Sequence, residues 1–316
     1  MTAGFARFEL MTRTKENRWL GGYALLTAAA TLALICLGGL VTSHDAGMAV
    51  KESRRWLRWL GVLALFAVVL QGVLGGLRVV LFKDEIGIFH AALAQLFFVL
   101  TCSIALFTSR WWSDAPSLKS ARPDDGGLRR LFLFATLLIF AQLILGATMR
   151  HQHAGLSIPD FPAAYGRPWP ALDAKSVARY NQDRVEVNAI NPITAFQIVL
   201  QMAHRIVALA ILLLVARAAW LANRRLGRQH SLAKVSGAWL GLIVGQVFLG
   251  AATIWTGKSA DIATTHVAFG ALSLMTGAML AIIAFRCLTP APRREAVRAK
   301  LTPLATEPGI ASDVHI

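Results

Sequence analysis

QGVLG (residues 71–75), QLILG (142–146) and QVFLG (246–250) are three copies of one pattern, Gln-x-x-Leu-Gly. LICLG (34–38) is a near-copy with Leu in the first place. Two of the three Gln copies are followed at almost the same distance by a histidine: His90 lies 19 residues after Gln71, and His266 lies 20 after Gln246. A pattern that recurs on this scale marks a duplicated structural unit, and recognising the unit decides the architecture. Each copy sits in an apolar stretch of the length, about 20 residues, that crosses a bilayer as a helix.

Composition agrees. Of 316 residues, 56% are hydrophobic and only 16% charged, with a mean hydropathy of +0.55; a soluble domain carries about a quarter charged residues. Seven spans are expected, over residues 20–41, 59–80, 86–107, 131–149, 195–221, 235–255 and 262–285. No stretch alternates with period two for long enough to suggest a β-barrel. The fold expected is therefore all-α, a polytopic transmembrane helical bundle. The first apolar run has the length of a span and no small-residue cleavage site after it, unlike a signal peptide, and Glu9 and Glu16 ahead of it are unlike a mitochondrial transit sequence.

The formal net charge of +15 raises the question of nucleic acid. The basic residues, however, sit in short loops beside the spans: Arg54, Arg55 and Arg58; Arg129 and Arg130; Arg224, Arg225 and Arg228; Arg293 and Arg294. Lys and Arg in such positions set membrane orientation by remaining cytoplasmic, so the expected partner is the lipid bilayer and not nucleic acid. All three cysteines, Cys36, Cys102 and Cys287, fall within or at the ends of spans and read as small core residues rather than a disulfide or a thiolate site.

Orientation exposes a gap. Six spans alternate so that the basic loops share one side with the C-terminal tail, and the sparse turns near Lys83 and Lys258 share the other. The N-terminal tail, with Arg7, Arg13, Lys15 and Arg18, lands on the wrong side. One more span between Val50 and Lys51 would restore the rule. The repeat says the same. Residues 37–50 align with 145–158, Ala46-Gly47 over Ala154-Gly155, and the next shared landmark is Trp-Leu-Gly at Trp59 and at Trp239. From Ile158 to Trp239 is 81 positions and from Val50 to Trp59 is 9, so the second half carries a loop and a span that the first half lacks. The expected architecture is two pseudo-repeated four-helix units with one helix missing from the first. The segments are residues 1–19, a basic tail; 20–110, the incomplete first half; 111–130, a basic-side linker; 131–286, a four-helix bundle; and 287–316, a C-terminal tail.

Titratable groups inside spans are expensive and mark functional sites. His90, His204 and His266 lie within spans, each near the basic-poor end. His204 is nine residues into its expected span and His266 four, a depth difference of roughly 8 Å at 1.5 Å per residue. Two neutral imidazoles on facing helices suit the two axial positions of a heme iron, whereas zinc calls for three or four ligands that this chain does not bring together in sequence. Leu-, Ala- and Gly-rich helix faces accommodate an apolar macrocycle, and Arg205 or Arg150 could meet its propionates. A membrane histidine can also simply hydrogen-bond a neighbour. His151 and His153 read as solvated loop residues, and the repeated Gln and Gly as packing features. The loop over 155–191, rich in Pro, Trp and Tyr, could lie at the headgroups or cap a cofactor.

GGLVTSHDAGMAV (38–50), GLSIPDFPAAYG (155–166), QMAHRIVA (201–208) and TTHVAFGAL (264–272) resemble the heme A synthase family. The resemblance runs from about Trp19 to Phe285. It implies two four-helix bundles and oxidation of the C8 methyl of heme O to the formyl group of heme A, destined for cytochrome oxidase. It implies heme b held in the C-terminal bundle by His204 and His266, with Arg205 adjacent, and heme O as substrate at the N-terminal bundle, where His90 matches one of the family's iron ligands. It further implies a bacterial cytoplasmic (inner) membrane location with a cytoplasmic C-terminal tail, contact with the heme O-producing enzyme, an electron donor, and room for an oligomer. The family continues after Ala-Val with a Pro-Asp-Trp-Pro loop and a span bearing Glu-His-x-His-Arg; here Val50 is followed directly by Lys51. The family's functional glutamate has no counterpart, so a non-catalytic heme b-binding membrane protein is the second reading.

Overall fold

The computed structural model describes residues 55–81, 83–114, 127–183 and 192–288. The chain divides into residues 1–59 and 60–316, and the account below concerns the second unit. The first expected span, residues 20–41, lies outside the described residues.

Six long helices match the other six expected spans to within a few residues: α1 (Arg55–Leu81), α2 (Asp84–Thr108), α4 (Gly127–His151), α6 (Ala195–Leu226), α7 (Ser231–Trp255) and α8 (Ala260–Cys287). Two short helices join them, α3 (Arg110–Asp114) and α5 (Ala174–Gln182), and among the described residues there is no strand. Helices are the expected outcome, because a bilayer offers no water to unpaired backbone groups and a helix satisfies them within one segment. At 25 to 32 residues, the last four helices are about 38 to 48 Å long and exceed the hydrocarbon thickness. The chain is a multi-pass membrane protein.

Helices α4, α6, α7 and α8 close a ring, each packed on the next and α8 on α4. Helix α2 lies outside the ring against α4 and α8. Leu128, Phe132 and Ile139 of α4, Ile211 and Val215 of α6, Trp239 and Ile243 of α7, and Leu274 and Leu280 of α8 fill the ring toward its basic end. The Trp239 indole is fully buried and donates to the Ser273 carbonyl at 2.8 Å. Gly277 is required there: a Cβ on it would stand 2.6 Å from both Thr136 Oγ1 and Trp239 Cζ2. Basic residues line this same end, with Arg129 over the Phe285 ring, Arg224 over Trp220 and Arg286 over Trp112.

In each of the four ring helices the apolar core stops before the opposite end is reached. Within this cluster the last buried residue is Ile139 in α4 and Ile243 in α7, and the first is Ile211 in α6 and Leu274 in α8. Beyond that level come Gln142 and Gly146, His204, Gln246 and Gly250, and His266 and Gly270.

Candidate functional site

The three Gln-x-x-Leu-Gly copies and the three intramembrane histidines form three equivalent pairs. A Cβ on Gly146 of α4 would lie 3.3 Å from His204 Cε1 on α6. A Cβ on Gly250 of α7 would lie 3.4 Å from His266 Cε1 on α8, and one on Gly75 of α1 would lie 3.4 Å from His90 Cε1 on α2. At each glycine the imidazole edge lies against the neighbouring helix, with room for a methyl group and little more. The repeated unit is thus a helix pair in which a Gln–Gly helix receives the histidine of the next long helix.

His204 stands nine residues after the start of α6, and His266 six after the start of α8. Helix α8 begins two residues earlier than the sequence suggests, so the expected depth difference shrinks to about 4.5 Å. His90 is likewise six residues into α2. His204 and His266 stand on α6 and α8, the diagonal helices of the ring, and both are near the starts of those helices. Each is mostly shielded, and Nδ1 of each is buried without a hydrogen-bond partner. The same holds for His90 Nδ1 and for Oε1 of Gln71, Gln142 and Gln246. Several other polar side chains in these spans are satisfied locally, as when the hydroxyls of Ser103, Thr136 and Ser236 donate to carbonyls one turn earlier, whereas Ser273 Oγ, Arg129 Nε and Gln95 Oε1 are also buried without a partner. Gln142 spends its amide nitrogen on the His204 carbonyl at 2.8 Å. Buried polar atoms left unpaired lose on the order of 1–3 kcal/mol each, and most of those in the described spans lie on the turns that carry the repeated Gln and the histidines.

Arg205 is turned toward the loop that follows α4. Its two terminal nitrogens donate to the carbonyls of Ala163 at 2.8 Å and Asp160 at 2.7 Å, and its guanidinium stands over the Phe161 ring. Nε is buried and unpaired. Arg150 is exposed at the end of α4. Gln201, one turn before Arg205 on the same face, is the residue the sequence did not single out. It is 2% exposed. Its Oε1 accepts from Ile158 N at 2.7 Å and from Ser157 Oγ at 3.1 Å, and its amide donates to the carbonyls of Gly155 and Ile158 at 3.3 Å. Its position four residues ahead of a charged arginine in an apolar span was the available signal.

These contacts make the loop a cap. Ile158, Ala164, Ile193, Ile198 and Met202 form a small core beneath it, with Tyr165 and Tyr180 stacked alongside. The Asp160 carboxylate accepts from the backbone of Tyr165 and Gly166, and Tyr165 Oη donates to the Ser157 carbonyl. Trp255 at the end of α7 packs edge-on against Phe161. Beyond the membrane segment, Asp173 caps α5 by accepting from Ser176, which holds its carboxyl below the usual pKa. The sequence left open whether this loop lies at the headgroups or covers a site; it packs over the start of α6 and reaches Trp255 at the end of α7.

His151 also departs from expectation. Instead of a solvated loop residue it is the last residue of α4, 10% exposed, with Nδ1 at 3.5 Å from Asp84 of α2. Its ring occupies the space beside Gly87, where a Cβ would fall 2.2 Å from Cε1. His153 follows in a left-handed turn. Among the described residues no group of three or more His, Cys, Asp or Glu is placed to hold a bare metal ion.

A family model described as cytochrome oxidase assembly protein matches residues 50–278. The chain belongs to this family. The match spans all six described membrane helices apart from the last turns of α8, and it is the family of the heme A synthases that the sequence motifs resemble. No curated protein matches the chain. Within the cytochrome oxidase assembly family, the described ring, its paired histidines and its cap are the features on which a function must rest.

Proposed function

We propose that this chain is a heme A synthase of a bacterial cytoplasmic membrane, oxidising the C8 methyl of heme O to a formyl group for cytochrome oxidase. The observation that carries the reading is the pair of buried, unpartnered Nδ1 atoms of His204 and His266, in the turns beyond the apolar core of the ring. Two neutral nitrogen donors, small residues beside them and an arginine at the capped end are the donor set that a heme b accepts. Bound heme supplies one-electron chemistry at iron.

The chain's own residues do the rest. Gly146 and Gly250 fix where the two rings sit. Gln142 ties the His204 backbone to α4. Gln201 and Arg205 hold the cap closed, excluding water from the pocket end, and Arg205 keeps an unpaired Nε that can donate to a propionate. His90, set on Gly75, is the ligand proposed for the heme O substrate. Heme O would come from the enzyme that makes it, and an electron donor would complete turnover. With the basic ends of the helices cytoplasmic, the C-terminal tail is cytoplasmic and the cap faces outward.

The test is chromatography of hemes extracted from the purified full-length protein, with a reduced-minus-oxidised spectrum. Heme b together with heme O or heme A supports the proposal, and His204→Ala and His266→Ala should each lose most of the heme b. Unchanged heme in both variants would sink the ligand assignment. Heme b alone supports the second reading, a non-catalytic heme b carrier, which the direct passage from Val50 to Lys51 favours.

A further inference from the structure

We infer that His151 is a positioning residue for the helix that carries His90. It fixes α2 on the ring, and it does so most firmly while its imidazole holds a proton and pairs with the Asp84 carboxylate. The contact between the two helices stands on its own; its consequence at His90 rests on the reading of His90 as a heme ligand given above.

Helix α2 lies outside the ring and is held along α4 and α8. Near its start it meets the last residue of α4. A Cβ on Gly87 would fall 2.2 Å from Cε1, 2.5 Å from Nε2 and 3.0 Å from Nδ1 of His151, so three atoms of the imidazole stand where a side chain would begin. At Gly75, Gly146 and Gly250 the nearest imidazole atom would be 3.3 to 3.4 Å away, and a methyl group fits with a small shift. At Gly87 either the ring or the helix would have to move.

The level of this contact matters. Gly87 precedes His90 by three residues, about 4.5 Å along the axis. Both belong to one uninterrupted helix, so a shift at the first moves the second. On the other side, Gly146 and His151 share α4. That helix therefore touches the His204 ring through Gly146 and the helix of His90 through His151.

Packing alone does not call for an imidazole here, because Leu or Met fills a space in hydrocarbon without a polar atom. What histidine adds is a charge that comes and goes between about pH 5 and 8. Nδ1 stands 3.5 Å from Asp84 Oδ1, which is an ion pair only when the ring is protonated. The imidazole is 10% exposed and the carboxylate 50%, so the pair sits at the mouth of the helix contact. Other charged groups at this end are Lys83 and Glu85 beside Asp84, Arg150 and His153 beside His151, and Lys258 and Asp261 around the start of α8. All six are exposed, and among the described residues none of them forms an ion pair with His151 or Asp84. Arg205 of α6 is turned to the cap. Loss of the proton removes the attraction and leaves the packing, so the hold of α4 on α2 weakens as pH rises.

The experiment uses the full-length protein in lipid nanodiscs, with Cys36→Ala, Cys102→Ala and Cys287→Ala as background. Spin labels are placed at Phe89→Cys on α2 and Leu137→Cys on α4, both exposed and uncharged positions. Pulsed electron spin resonance then reads the distance between the helices with no heme present. A narrow distribution is expected at about pH 5.5 and a broader, longer one at about pH 8.5. Asp84→Asn and His151→Gln, which remove the charge, should each give the same distribution at both pH values, and Gly87→Ala should broaden it at both. A second readout follows the effect to His90. In the unlabelled His204→Ala/His266→Ala protein, hemin affinity should fall between these pH values by about threefold more than it does with Asp84→Asn added. Labels indifferent to pH, a pH response that survives Asp84→Asn, or an equal change of hemin affinity in the two proteins would overturn the inference. Hemin binding that persists after His90→Ala overturns the reading of His90 instead, and the spin labels still decide the helix contact.

Discussion

The glycines of the repeat leave an imidazole little room beyond a single methyl group. Gly146 would place a Cβ 3.3 Å from His204 Cε1, a contact that alanine can absorb with a small shift and that a branched side chain cannot. Gly146→Val is therefore expected to displace the ring and to reduce extracted heme b about as far as His204→Ala does, with Gly146→Ala close to wild type; heme chromatography on the three proteins checks this. Gln201 is the second residue of this kind. Gln201→Leu keeps the volume but strands the amide of Ile158 and two carbonyls, a loss on the order of 1–3 kcal/mol for each group left unpaired. Faster proteolysis of the 152–194 loop in the variant, with the helices intact, is the expected outcome. The histidines themselves were legible in the sequence because ionisable groups are rare inside apolar spans. The roles of Gln201 and His151 were not, since both depend on partners 43 and 67 residues distant, Ile158 and Asp84, that only folding brings near.

At the scale of the helix, hydropathy alone located the six described spans, because a bilayer leaves a long apolar segment little choice but an internally bonded helix. What hydropathy does not carry is the direction each face takes. The Gln-x-x-Leu-Gly copies were read as packing features, and the structure shows what each packs: one histidine, on the next long helix. Nor did the loop after α4 declare itself, since its Pro, Trp and Tyr content suits an interfacial segment and a cap equally. Gly277 offers the sharpest test of ring packing. Gly277→Val forces a side chain into the space held by Thr136 and Trp239, and overpacking of this kind typically destabilises by about 1–3 kcal/mol. A lower midpoint in a tryptophan-fluorescence melt should report it, Trp239 being at the contact.

For the whole molecule, charge distribution is the feature that predicts an orientation. Arg129 and Arg130, Arg224 and Arg225, and Arg286 all belong to one end of the ring helices, and a reporter fused after residue 316 should be active only on the cytoplasmic side. Activity on the outer side would invert every assignment of the cap. The repeat in the sequence already implied a four-helix unit in the second half; that its four helices close into a ring, with α2 bracing it from outside, required the folded contacts. The ring also divides its labour along its length. From Leu128 to Ile139, and across to Leu280, it is sealed with interlocking side chains that involve no prosthetic group. Such a plug behaves like the hinge of a clothes-peg: it keeps the two jaws aligned from one end. The turns that carry His204 and His266 therefore owe their spacing to packing that lies farther along the ring.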